Sequence, residues 1–156
     1  MRFLSRPPEF RYFSGFKSQF WESPTRPWFL VIPATGKPIA VVPEIGVAGF
    51  AGTWIDDVRN WPAPRPEDDG ISLLADTLKT AAGTAKTLGA MMGPDTHLRM
   101  PISNFERLCD NLGQYSMVDV SLIMREVRAV KSEAEIAKIR FACHITAAGF
   151  EFLRTN

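Results

Sequence analysis

Arg128-Ala129-Val130-Lys131-Ser132-Glu133-Ala134-Glu135-Ile136 is the stretch whose reading decides how this chain is built. Ser132 stands where a helix N-cap belongs. Glu135, three residues on, can reach back to the backbone N–H of Ser132 while the Ser132 hydroxyl caps that of Glu135. The spacing predicts a helix running to Phe152. At about 100° per residue its apolar positions split into two groups. Ile136, Ile139, Ala142, Cys143, Ala147, Phe150 and Leu153 form one broad stripe, and Phe141, Ile145, Ala148 and Phe152 gather nearly opposite. A helix apolar on two faces expects cover on both sides. Nothing after Asn156 supplies it, so Phe141, Ile145, Ala148 and Phe152 are expected to face a missing domain or a second copy of the chain.

Working outward toward the N-terminus, Met1–Leu4 reads as the tail of a strand, interrupted by Arg6-Pro7-Pro8. Phe10–Phe16 is an aromatic cluster closing on Gly15, and the run from Lys17 to Arg26 mixes aromatic and polar residues in what reads as a structured loop. Pro27–Pro33 and Ile39–Val42 are apolar runs separated by the turn residues Ala34-Thr35-Gly36-Lys37, the pattern of a β-hairpin. Glu44–Ala51 fits a helical turn or two, and Trp54–Trp61 a strand. The proline-rich, acidic loop Pro62–Gly70 then delivers Asp68 or Asp69 to the N-cap of a helix with Ile71, Leu74, Leu78 and Ala81 inward and Gly83 as its stop. A strand over Thr87–Met92 follows. Pro101–Leu112 is expected as a helix with Ile102, Phe105, Leu108 and Leu112 inward, then a strand at Met117–Val120 and a short helix over Ser121–Val127. Alternation of this kind predicts a layered α/β structure with a mixed sheet, antiparallel at the hairpin and parallel later.

Composition narrows the function classes. At 156 residues and 46% apolar content the chain can bury a real core. Eighteen basic against seventeen acidic residues give a formal charge of +1, which carries no electrostatic footprint for nucleic acid or anionic lipid. No apolar run of about 18 residues is present for a membrane span, and the N-terminus lacks the pattern of a signal peptide. Cys109 and Cys143 match no C-x-x-C spacing and are expected as buried, reduced thiols, in keeping with a cytoplasmic chain.

Chemistry is harder to find. Metal catalysis needs several His, Asp, Glu or Cys side chains at one point, and the only histidines are His97, in a loop, and His144, on the narrow polar strip of the last helix. Asp56-Asp57 and Asp68-Asp69 are acidic pairs, but neighbours on a strand point to opposite faces and the second pair serves better as a helix cap. There is no G-x-S-x-G, Walker loop or G-x-G-x-x-G. Phe20, Trp21 and Arg26 differ: large aromatics beside a guanidinium that can grip a carboxylate suit recognition of a small substrate or a peptide end. Packing over the chain's own sheet is the other reading of the same residues.

Three segments together resemble one family. Phe10-Arg11-Tyr12-Phe13-Ser14-Gly15-Phe16 is similar to the Tyr-containing segment ending in Ser/Thr-Gly that follows the first strand in creatinase, prolidase and aminopeptidase P relatives. Trp61-Pro62 through Asp68-Asp69-Gly70 resembles an acidic loop seen in some of them. Arg128 to Ile136 resembles the R-x-x-K-S-x-x-E-I signature that joins their N-terminal domain to the pita-bread metallopeptidase domain. The resemblance covers nearly the whole chain. It implies a three-layer, ribonuclease-H-like α/β fold, a mixed sheet flanked by helices, over residues 1–127. Residues 128–156 would be the linker and first helix of a truncated catalytic domain.

In the family that second domain holds two divalent metal ions (Mn, Co or Zn) and cleaves Xaa-Pro bonds or hydrolyses creatine-like amidines. None of its ligands has a counterpart here, so no catalytic residue, metal ligand or cofactor is expected in this chain. The resemblance further implies a homodimer, and a loop after the Ser/Thr-Gly that contacts substrate; Phe20, Trp21 and Arg26 occupy that loop. Relatives open with a helix and a full first strand, whereas Met1 falls near the end of that strand, and a missing strand would leave an open sheet edge.

The leading expectation is therefore a non-catalytic substrate-recognition and dimerisation domain of a Xaa-Pro peptidase or creatinase-like metallohydrolase, whose substrate is a small peptide or amidine. The alternative is a free-standing peptide- or protein-binding module on the same fold. A ribonuclease-H-like nuclease would need at least three converging carboxylates and basic surroundings, which the sequence does not supply.

Overall fold

Gly36, at φ +88, turns the expected hairpin, in which β2 (Phe29–Ile32) and β3 (Ile39–Pro43) pair antiparallel with Leu30 opposite Ala40. β1 (Arg2–Leu4) lies antiparallel to β2, and β4 (Asp57–Trp61) runs parallel to β3. β5 (Thr87–Ala90) and β6 (Ser116–Asp119) continue parallel on the other side of β1. Among the described residues the sheet is thus mixed and six-stranded, ordered β4-β3-β2-β1-β5-β6. The computed structural model describes residues 1–19 and 26–155, in two units, Met1–Leu122 and Ile123–Asn156. The expected α/β architecture with a mixed sheet and flanking helices is what the chain adopts. The short first strand is not itself an edge: β1 has a partner on each side, and among the described residues the edge strands are β4 and β6.

Strand side chains alternate between faces, and both faces are covered. Phe3, Phe29, Val31, Val41, Leu88 and Ala90 meet Ile71, Leu74 and Leu78 of α2 (Ile71–Ala82) and Leu108 and Leu112 of α3 (Ile102–Leu112). Each such fully buried large side chain contributes about 1.5–3 kcal/mol. Opposite, Leu4, Leu30 and Val42 are also buried, and four rings gather: Phe10 of α1 (Pro7–Ser14), Phe16, Trp28, and Phe50 of a 3-10 helix over Glu44–Gly52. Phe16 stacks on Phe50 with centroids 4.3 Å apart, and Phe10 meets both edge-on.

Several expectations need correction. Residues 7–14 form a helix, because Pro7 and Pro8 fall in its first turn, where a missing N–H costs nothing. Gly15, at φ +73, ends it with its N–H on Arg11 O at 2.8 Å. β4 reaches its parallel place through the 3-10 helix instead of an α-helical crossover. Ile102, expected inward, is 79% exposed at the first turn of α3. The N-cap of α2 is Gly70, not an aspartate; Asp68 Oδ1 instead accepts from Ser72 N at 3.0 Å and Ser72 Oγ at 2.9 Å. Cys143 is exposed and Cys109 half-buried, so the buried-thiol reading fails for the first and holds only partly for the second.

Beyond β6, α4 (Ser121–Ala129) leads to α5 (Glu133–Thr155). The opening stretch is the joint between them, and its polar groups satisfy one another. Lys131 Nζ donates to the carbonyls of Arg128 and, at 3.0 Å, Ala129, closing the C-terminus of α4. Ser132 N donates to Glu135 Oε2 at 2.8 Å, and Glu135 N to Ser132 Oγ at 3.3 Å, the reciprocal cap read from the sequence. No residue of α5 is buried.

Candidate functional site

Five of the six strands run the same way, and β2 alone is reversed. Their carboxyl ends, with the start of β2, therefore share one edge of the sheet. In α/β sheets ligands bind outside that edge, because the loops there are free of the packing that fixes the strands. Here the edge carries Ser5-Arg6 after β1, Arg26 just before β2, Trp61–Gly70 after β4, Met91–Pro101 after β5 and Asp119–Ser121 after β6.

Toward β4, Trp61 and Asp69 are 4% and 9% exposed. Asp69 lies in the left-handed region at φ +47, a conformation that costs a non-glycine residue and persists where surrounding structure imposes it. Two contacts impose it: Asp69 N donates to Arg65 O at 2.7 Å, and Gly70 at φ +84 lies so close to the Trp61 ring that a Cβ there would fall 2.6 Å from Cε3. Burial pushes the Asp69 carboxyl above its ordinary pKa, while the Trp61 indole and the Arg26 guanidinium pull it back. Among the described residues the buried Trp61 Nε1 makes no hydrogen bond of ordinary geometry. Arg26 is half-buried and, among the described residues, makes no hydrogen bond or close ion pair.

Toward β6 the edge is locked. Asp119 Oδ1 accepts from Met92 N, Gly93 N and Ser121 N, each at 3.0 Å, and from Ser121 Oγ. These donors, the Ser121 hydroxyl first, hold its pKa at about 2. The carboxylate ties the loop after β5 to the corner before α4.

Of the residues singled out from sequence, Arg26 stands at this edge, and Phe20 and Trp21 lie outside the described residues. Phe141, Ile145 and Phe152 are 68%, 59% and 65% exposed on α5, and Ala148 is exposed with them. Asp56 pairs with Lys37 and Asp57 with Arg59, at exposed positions. His97 and His144 are exposed. Among the described residues no three His, Cys, Asp or Glu side chains come together as metal ligands, so the two-metal centre of the resembled family does not fit the residues present. Sequence reasoning missed Asp69 as the carboxyl that Arg26 acts on through its charge. The Asp69-Gly70 pair marked a turn, but only the fold brings it toward Arg26.

No curated protein matches the chain in sequence. Among solved structures, an X-Pro aminopeptidase from Thermotoga maritima superposes with a TM-score of 0.71 at 19% identity, over 96% of this chain and 39% of its own. A Xaa-Pro dipeptidase from Bacillus anthracis gives 0.72 at 16% identity, over 99% and 38%. The chain thus spans under half the length of either protein. The N-terminal domain of an X-Pro dipeptidase from Streptococcus pyogenes matches with 0.56 at 17% identity, over 80% of this chain and 85% of that one. These are likenesses of fold. The model of the creatinase/prolidase N-terminal domain matches residues 1–130, and to that family the chain belongs.

Proposed function

We propose that this chain is the non-catalytic substrate-recognition and dimerisation part of a Xaa-Pro peptidase or creatinase-like metallohydrolase acting in the cytoplasm. Residues 1–127 are the recognition domain and 128–156 the linker and first helix of a catalytic domain, which holds two divalent metal ions and acts on a small peptide or amidine. The observation that carries the reading is Arg26: a half-buried guanidinium at the carboxyl edge, without an ion pair among the described residues, suited to a substrate carboxylate. Phe20 and Trp21, the other substrate-contact candidates of the sequence, lie outside the described residues and complete the proposal. The second apolar face of α5, Phe141, Ile145, Ala148 and Phe152, packs on the catalytic domain or, without it, on a second copy; exposed apolar area of this kind marks an interface. No described helix is long and apolar enough to cross a membrane.

The test has three arms. The purified chain is incubated with manganese or cobalt and Xaa-Pro dipeptides, where metal-dependent turnover would overturn the non-catalytic reading. NMR titration with a Xaa-Pro dipeptide should show a saturable shift around Arg26 that Arg26→Gln removes; an unchanged titration refutes its role. Sedimentation should show a dimer that Phe141→Asp dissociates, and a monomer in the parent chain rejects self-association.

A further inference from the structure

β1 and β5 are parallel neighbours whose connections leave in opposite directions, β1 toward β2 and β5 toward β6. Diverging connections open a crevice at the carboxyl ends of the two strands, the place where open α/β sheets take their ligands. The loop after β5, Met91–Pro101, is long for such a connection. It holds Asp95 at φ +60, one of two non-glycine residues with positive φ among those described. It is also pinned to the end of β1: Arg99 N donates to Ser5 Oγ at 3.1 Å, and Arg6 Nη1 to Asp95 O at 3.4 Å.

Against this loop lies a cleft of about 300 Å³ lined by Met92, His97, Leu98, Met100, Ile102 and Phe105. That is the lower end of the range of about 300–1,000 Å³ that takes small molecules. Five of its walls are apolar, two of them methionines, whose flexible thioethers adapt to the shape of a guest. His97 is the polar group in the lining. His97 is therefore the group in the lining that can meet a ligand's polar end, and its imidazole N–H can donate to a carboxylate.

We propose that this switch-point cleft binds a small apolar carboxylate, an aliphatic or aromatic amino-acid or peptide end, with its apolar body among Met92, Met100 and Phe105 and its carboxylate toward His97. The site is separate from Arg26 and does not depend on the recognition role given to that residue.

The test is an NMR titration of the whole chain, labelled at the methionine methyls, with N-acetyl-leucine and with N-acetyl-leucinamide at millimolar concentration. N-acetyl-leucine should shift the Met92 and Met100 methyls saturably. Ile102→Asp, at an exposed position in the first turn of α3 where an acid suits the helix end, should fold normally and weaken binding at least tenfold. His97→Asn should weaken the carboxylate several-fold and leave the amide unchanged. Absence of a saturable shift, or equal shifts in Ile102→Asp, overturns the site; equal affinity for acid and amide overturns the assignment of a carboxylate. Because the Arg26 titration reports on different resonances, failure of one reading leaves the other standing.

Discussion

Replacing Gly70 by alanine tests the strained corner that brings Asp69 toward Arg26. The added methyl would lie 2.6 Å from Trp61 Cε3 and 2.7 Å from Cδ2 and Cζ3, inside any real carbon contact, and the ring cannot retreat because Trp61 is itself buried. The backbone, at φ +84, adds a left-handed penalty of about 1–2 kcal/mol for a residue with a Cβ. Overpacking of a filled site costs about 1–3 kcal/mol more. The expected loss is their sum, about 2–5 kcal/mol, from a total stability of about 5–15 kcal/mol. For a chain of this size that lowers the melting temperature by the order of 10 °C. Urea unfolding followed by tryptophan fluorescence measures it. Gly52→Ala serves as control, since a Cβ there meets open space, and it should stay within about 0.5 kcal/mol of the parent. A loss below about 1 kcal/mol in Gly70→Ala, with unchanged denaturant slope, would refute the argument that Trp61 and the positive φ together require glycine.

Other expectations follow from the titrating groups. Asp69, raised by burial, binds its proton more tightly when folded, so its contribution is most favourable below the ordinary carboxylate range and falls as pH rises through the raised value. Asn keeps the neutral form and tolerates left-handed backbone, so Asp69→Asn should be more stable than the parent at neutral pH, with the gap closing below about pH 4; thermal melts across pH decide, and a constant gap would exclude the buried-charge account. Asp119 has the opposite sign: its contribution is complete above the ordinary value of 3.8 and is lost as pH falls through about 2. Asp119→Ala should therefore loosen the loop after β5 at neutral pH and differ little from the parent in strong acid, as seen by amide exchange at Met92 and Gly93. Glu135, lowered chiefly by the Ser132 N–H, supports the first turn of α5 above its ordinary value and stops doing so as pH falls through the lowered one. Glu135→Ala should speed amide exchange at Ser132 and Glu135 while leaving β2 and β3 untouched.

Local chemistry was legible in the sequence, and convergence was not. The hairpin followed from Gly36 between two apolar runs, α2 from apolar spacing closed by Gly83, and the start of α5 from Ser132 and Glu135, because each rests on groups a few residues apart. The helix of residues 7–14 was passed over because two prolines read as breaks, although in a first turn they break nothing. Ile102 was assigned inward by spacing alone, which does not say where the helix end lies relative to the sheet.

What only the tertiary structure decided is which distant loops share an edge. The parallel pairing of β1 with β5 and of β3 with β4 sends Arg26, Asp69, His97 and Asp119 to one end of the sheet. The pull of Arg26 on Asp69 likewise comes from a juxtaposition that sequence spacing does not encode. Apolar periodicity and capping act within a few turns of chain and are written in sequence order. Strand order and direction are set by which faces bury the most apolar surface together, a property of the whole chain at once.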